Sequence, residues 1–283
     1  MGAGLEARPV GFADRDAVVR FLVRDAVANL FLLDLAANLG RPPVPGEPRT
    51  ELVAAWQRGE IVGVLGLHPT VILDADAGRD VVDAFLPHLE RIKIGLLKSA
   101  VPSANLLWSQ LSARSARRVI IDRIETAYAL YPREAKCVEH GSAQSARRAR
   151  NSDLDDLVVA ARESLREEDR PDPFLGDVEG FRRWVRGRVA RARVVEIAGR
   201  VAMVGYADVQ RPEGWLIQGV YTWPEWRQRG IASFGVSELC REAFGAGARH
   251  VQLAVVEGNV AAQRLYEGLG FRPFAKLRTI LFT

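Results

Sequence analysis

Short apolar runs bounded by glycine or charge, and longer stretches with apolar residues three to four apart, follow one another along the chain and predict alternating strands and helices. Leu5 to Val10 reads as a short strand. The spacing from about Ala13 to Leu39 predicts one long helix, with Asp14 and Asp16 near its positive end. Closely spaced prolines from Arg41 to Pro48 forbid helix and predict an extended loop. Leu52–Trp56 and Ile61–Leu67 flank Gly59 as a hairpin, and helical spacing returns at Asp80–Arg91 and Ser103–Ala113 around an apolar run, Ile92–Leu97. Arg118 to Leu130 has strand character.

Tyr131 to Ser152 is small, charged and polar, the composition of a linker, and the same broad order then starts again. A helix from about Asp153 to Glu168, capped by Ser152 or Asp153, precedes a proline-broken loop at Asp169–Asp177. A basic amphipathic helix over 178–192 leads into a hairpin, Val194–Val209, turning at Gly199-Arg200. The strand 215–222, the helix 230–244, the strand His250–Val256, the helix 259–269 and the strand Leu277–Phe282 complete the chain. Two strands joined through a helix form a crossover, so 215–222 and 250–256 are expected to be parallel. Alternating elements point to an α/β (α+β) fold with a mixed sheet.

The 283 residues suit two domains, here 1–135 and 136–283. No apolar run reaches the roughly 18–20 residues that cross a bilayer. The longest candidate, Ala26–Leu39, is broken by Asn29, Asp34 and Asn38 and lacks a basic-then-apolar signal-peptide layout, which sets the expectation of a cytoplasmic protein without a membrane partner. The two cysteines, Cys137 and Cys240, have no ligand-like spacing, so neither a disulfide nor a metal is expected. A formal charge of +4 invites a nucleic-acid reading. Lysine occurs only at Lys93, Lys98, Lys136 and Lys276, however, and the arginine excess fits a GC-rich genome. The arginines of Phe181–Arg193 fit the solvated face of a helix, and stacking platforms are missing, so no nucleic-acid partner is expected. Oligomeric state is left open.

Candidate chemistry centres on Arg227-Gln-Arg-Gly-Ile-Ala232, which turns a strand into a helix. Such a turn leaves backbone N–H groups pointing one way at the positive end of a helix dipole, an anion site suited to pyrophosphate. Gly230 lets the backbone approach the ligand, and Ala232 is nearly as small. Asn259 and Tyr266, seven residues apart, share one face of the last helix. Asn259 is placed either to cap that helix or to touch a ligand. Tyr266 is either a core aromatic or a proton donor, since a phenol with an ordinary pKa near 10 keeps its proton at neutral pH.

Arg227-x-x-Gly230-x-Ala232, preceded by Pro224-Glu225 and followed by Asn259-x-x-Ala262-x-x-x-Tyr266 and Gly270-Phe271, resembles the two signatures of the GNAT superfamily of N-acetyltransferases. The resemblance covers the C-terminal half. It implies acetyl-CoA as co-substrate, with Arg227, Gln228, Arg229, Gly230, Ile231 and Ala232 around the pyrophosphate and no metal. It also implies that backbone groups of Val220, Tyr221 and Thr222 lie along the pantetheine arm, that Asn259 contacts the cofactor, and that Tyr266 is the general acid. An unidentified amine is the implied acceptor. Many relatives carry a glutamate five residues before the asparagine; here that residue is Ala254, so the base is open among Glu167, Glu168, Asp169, Glu196 and Asp208. His250 reads as structural.

The N-terminal half repeats the order of elements without either signature. Lys98–Leu111 and Arg123–Leu130 resemble the degenerate companion domain of bacterial tandem acetyltransferases. The resulting expectation is an acetyl-CoA-dependent N-acetyltransferase. Its rival is a non-catalytic acyl-CoA-binding or sensing module, favoured by Ala254 and opposed by the Asn259–Tyr266 pair.

Overall fold

The computed structural model describes residues 4–42, 49–136, 138 and 144–283. In the first half, strand β1 (Glu6–Pro9) is followed by helices α1 (Arg15–Leu22) and α2 (Leu30–Ala37). Strands β2 (Glu51–Gln57), β3 (Glu60–His68) and β4 (Ile72–Leu73) come next. Then follow helix α3 (Arg79–Leu89), strand β5 (Gly95–Ala100), helix α4 (Val101–Arg114) and strand β6 (Val119–Leu130). The second half runs through the same succession. It comprises β7 (Gln144–Arg148), α5 (Leu154–Glu167), α6 (Val178–Arg188), β8 (Ala192–Ile197), β9 (Arg200–Gln210) and β10 (Trp215–Thr222). It ends with α7 (Ile231–Gly245), β11 (Val251–Val256), α8 (Val260–Gly268) and β12 (Arg272–Phe282).

The strands form a four-stranded sheet, β1-β2-β3-β4, and an eight-stranded sheet, β5-β12-β6-β11-β10-β9-β8-β7. The second order contains an exchange. Strand β6, from the first half, lies between β11 and β12, while β12 lies between β6 and β5. The sheet is mixed, with β10 and β11 parallel as the crossover requires. Helices α7 and α8 cover one face, packing Leu239 and Tyr266 onto Leu253, Val255 and Tyr128. Helices α5 and α6 cover the other, packing Leu157 and Phe181 onto Val204, Tyr206 and Tyr221. Leu30 and Phe31, at the start of α2, reach across to Val209 and Leu216 on that second face.

Several elements differ from the sequence expectation. The long helix over 13–39 is two helices, α1 and α2. The chain breaks after Asp25, whose carboxylate accepts the Ala28 N–H at 3.0 Å, and restarts at buried Asn29, whose Oδ1 accepts the Ala75 N–H at 3.0 Å. The break lets Leu22 of α1 and Leu32 and Leu33 of α2 cover Leu52, Ala54 and Val64 together. Most of the proline loop (43–48) and Cys137 lie outside the described residues. The expected linker contains the edge strand β7. The second hairpin turns at Ala198-Gly199, both at positive φ (49° and 76°), rather than at Gly199-Arg200. The last strand begins five residues early, at Arg272, because it pairs with β6 before it reaches β5. No helix among the described residues is long and apolar enough to cross a membrane.

Candidate active site

Strands β10 and β11 pair only at Trp215–Val251 and Leu216–Gln252. Beyond that point each follows its other neighbour, β10 along β9 as far as Thr222–Met203 and β11 along β6 as far as Val256–Glu125. The two strands diverge and open a gap, with the free edges of residues 217–222 and 253–256 as its lips. Gly219 bends β10: it sits at φ 57° inside a register shift between Gln218 and Tyr221, and a Cβ there would come within 3.0 Å of the Tyr206 ring. Val220, Tyr221 and Thr222 lie on this lip. The matching place in the first half, between β4 and β5, is filled. There the Val71 N–H bonds Leu96 O at 2.8 Å, the Lys98 N–H bonds Val71 O at 2.9 Å, and the Leu73 N–H donates to Ser99 Oγ at 2.9 Å.

From Thr222 the chain turns through Pro224–Trp226 into α7. Gln228 (φ 58°) and Gly230 (φ 75°) are both left-handed, which a glycine tolerates and a glutamine does at a cost. Gly230 is the N-cap residue, and no side chain caps the helix. The amides of the first turn of α7 therefore face outward beneath exposed Gln228, Arg229 and Gly230. Ile231 turns its side chain into the core and Ala232 is half-buried, so both offer the backbone. Arg229 lies over the Trp226 ring at 5.4 Å. Arg227 points elsewhere: its Nε donates to Thr222 O at 2.9 Å and a terminal nitrogen to Glu167 at 2.6 Å.

Asn259 caps α8, its Oδ1 accepting the Ala262 N–H at 3.1 Å. That is the capping geometry; among the described residues this side chain makes no other bond. Tyr266 is 7% exposed and packs edge-on against Phe271 at 5.7 Å. Burial, with smaller contributions from Cys240 and Glu168, pushes its phenol above its ordinary pKa, so it is protonated throughout the neutral range. Tyr266 comes from the face covered by α8, and Glu168 from the end of α5 on the opposite face.

Ala254 stands opposite Ala127 on β6 and brings no carboxylate to the gap. Glu167 and Glu168, at the end of α5, lie near it, paired with Arg227 at 2.6 Å and Arg123 at 3.1 Å. Asp169 follows at φ 51°. Glu196, on β8, is drawn to Arg147 at 2.8 Å, and Asp208, on β9, to Arg188 at 2.6 Å, so both are committed to ion pairs away from the free lips. Buried His250 bonds Gln252 at 3.3 Å, and burial lowers its pKa.

One charged group escaped the sequence reading. Glu125 on β6 is 3% exposed and bonds Lys98 at 2.5 Å, Thr279 at 2.7 Å and Arg123 at 3.2 Å. Burial opposes its ionisation, but Lys98, Thr279 and Arg123 outweigh it and hold the carboxyl at about 2. The signal was the alternation of Arg123 and Glu125 within an apolar strand. Among the described residues no group of His, Cys, Asp and Glu side chains is arranged to hold a metal ion.

Residues 153–271 match the family model described as Acetyltransferase (GNAT) family. No curated protein sequence matches the chain. Among solved structures, a Drosophila protein from a structural genomics programme is 15% identical, covers 98% of this chain and 99% of its own, and has a TM-score of 0.71. A GCN5-related N-acetyltransferase from Sphaerobacter thermophilus is 17% identical, covers 98% and 95%, and has a TM-score of 0.61. A tandem GNAT protein from the clavulanic acid biosynthesis pathway is 15% identical, covers 98% of each chain, and has a TM-score of 0.56. At these identities the likeness is one of fold, and it extends through both halves. The match to the acetyltransferase (GNAT) family model thus lies in the second half, and the first half is similar in fold to the corresponding part of a tandem GNAT protein.

Proposed function

We propose that this protein is an acetyl-CoA-dependent N-acetyltransferase whose donor site lies between β10 and β11. One observation carries the reading: the parallel pair stops after two residues, and the open lip of β10 leads straight into the uncapped, glycine-led start of α7. An extended thioester arm can pair with a free strand edge, and a pyrophosphate suits a helix start whose amides no side chain occupies. Backbone groups of Val220, Tyr221 and Thr222 would hold the arm, residues 227–232 the phosphates, and Asn259 an outer part of the cofactor. The family match implies the same donor.

In this reading the acceptor amine attacks the thioester carbonyl directly, and much of the rate comes from holding two substrates in line. Tyr266 gives its proton to the departing sulfur. Its retention of that proton at neutral pH supports the role. Glu168 is the candidate to receive the proton of the amine, directly or through water. The filled space between β4 and β5 supports a division in which residues 136–283 perform the chemistry and residues 1–135 form a degenerate companion domain.

Incubation with acetyl-CoA and pooled primary amines, followed by thiol detection, tests the proposal. Amine-dependent release of CoA is expected. The sensing-module reading, favoured by Ala254, predicts saturable acetyl-CoA binding with no CoA release under any amine.

A further inference from the structure

Helix α5 ends on Glu167, with Glu168 as its C-cap, and the chain leaves it through Asp169 at φ 51°. Carboxylates are favoured at the positive start of a helix; at its C-terminal end they meet unpaired carbonyls and the negative end of the dipole. Each glutamate is held there by an arginine, and the arginines stand on opposite sides of the gap. Glu168 accepts from Arg123 on β6, the strand beside β11, at 3.1 Å. Glu167 accepts at 2.6 Å from Arg227, just beyond the end of β10. The same Arg227 donates Nε to Thr222 O at 2.9 Å and lies over the Tyr221 ring at 5.4 Å, so its whole side chain is folded back along the β10 lip.

Arg227 also opens the loop that, in the acyl-CoA reading on which this inference rests, receives the pyrophosphate. A guanidinium grips a phosphate best when two of its donors meet two oxygens in parallel. With one terminal nitrogen on Glu167 and Nε on Thr222 O, that fork is engaged. We propose that Glu167 is an internal anion that occupies Arg227 while the donor site is empty, and that the pyrophosphate takes Arg227 from it. Glu167 thus sets the donor affinity of the site. Donor binding also releases the contact that ties the end of α5 to the β10 side of the gap, leaving Glu168 and Arg123 as its tether on the other side.

Both members of the pair are partly exposed, at 40% for Arg227 and 46% for Glu167, so the competition is worth a modest factor in affinity, about two- to five-fold. Calorimetric titration of the full chain with acetyl-CoA tests it in a double-mutant cycle. Glu167→Gln is expected to tighten binding by about that factor with Arg227 present, and to change nothing in the Arg227→Ala background. Unchanged or weaker binding in Glu167→Gln overturns the inference. Equal tightening in both backgrounds also overturns it, because that result reports simple repulsion between Glu167 and the phosphates. A wild-type chain that binds no acetyl-CoA overturns the acyl-CoA reading itself.

Discussion

Arg123, on a strand of the first half, donates to Glu168 at 3.1 Å, at the end of a helix of the second half. Its Nε also donates to Glu125 at 3.2 Å, and Glu125 stands opposite Val256 on β11. The strand exchange therefore brings first-half charges to the rim of the gap where β11 itself offers only Ala254. The first half is part of the wall of the gap.

Glu125 is the anchor of that arrangement. Its folded pKa of about 2 lies below its ordinary 4.5, so its stabilising contribution is present above about pH 4.5 and is lost as pH falls towards 2. Glu125→Gln leaves Lys98 and Arg123 without their buried counter-charge and is expected to cost about 2–3 kcal/mol, discounted because Lys98 is 24% exposed. Urea unfolding at neutral pH and at pH 3 checks both points: the variant is less stable at neutral pH and loses less on acidification.

The exchange also makes the second half dependent on the first. A fragment covering 136–283 lacks β6, leaving β11 and β12 with no shared neighbour and exposing Val251, Leu253 and Val255 along an unpaired edge. That fragment is expected to lack cooperative unfolding by circular dichroism, and a fragment starting at residue 115 is expected to regain the C-terminal half of the sheet. Cooperative unfolding of 136–283 alone would contradict the structural role given to β6.

Gly230 links the loop to the helix start. At φ 75°, alanine costs roughly 1 kcal/mol of backbone strain and shifts the first-turn amides of α7. Gly230→Ala is expected to weaken acetyl-CoA binding about ten-fold or more while lowering the melting temperature by only a few degrees. The two effects are read by calorimetry and by thermal unfolding.

In the proposed mechanism, one limb of the pH dependence of turnover follows from Tyr266. Burial raises its pKa above the ordinary 10, so deprotonation of the acid sets in only above about pH 10. No fall in kcat between pH 7 and 9.5 should be traceable to this residue. A descending limb in that range that disappears in Tyr266→Phe would contradict the buried, protonated phenol.

The second half was legible because its signals are local. Gly230, Asn259 and Tyr266 announce a turn, a cap and a face, each through the residues next to it in the chain, and the structure puts each on the expected element. What was hidden depends on partners distant in the chain. Periodicity identifies 119–130 as a strand but says nothing of its neighbours, so the insertion between β11 and β12 had no sequence signature. The pairing of Arg227 with Glu167 spans 60 residues. The break near Asp25 was masked because the apolar spacing continues through it, while the turn depends on side-chain bonds to the backbone. Strand β7 was read as linker because Gln144–Arg148 is an edge strand of mostly polar residues.

The central claim is that Tyr266 gives up its proton across an acyl-CoA site. Its most direct test compares Tyr266→Phe with the wild type in turnover with a verified amine and, separately, in calorimetric acetyl-CoA affinity. Phenylalanine keeps the packing against Phe271, so the account predicts a fall in kcat of about 10²-fold or more with acetyl-CoA affinity changed less than about three-fold. Turnover equal to wild type would remove Tyr266 from the chemistry.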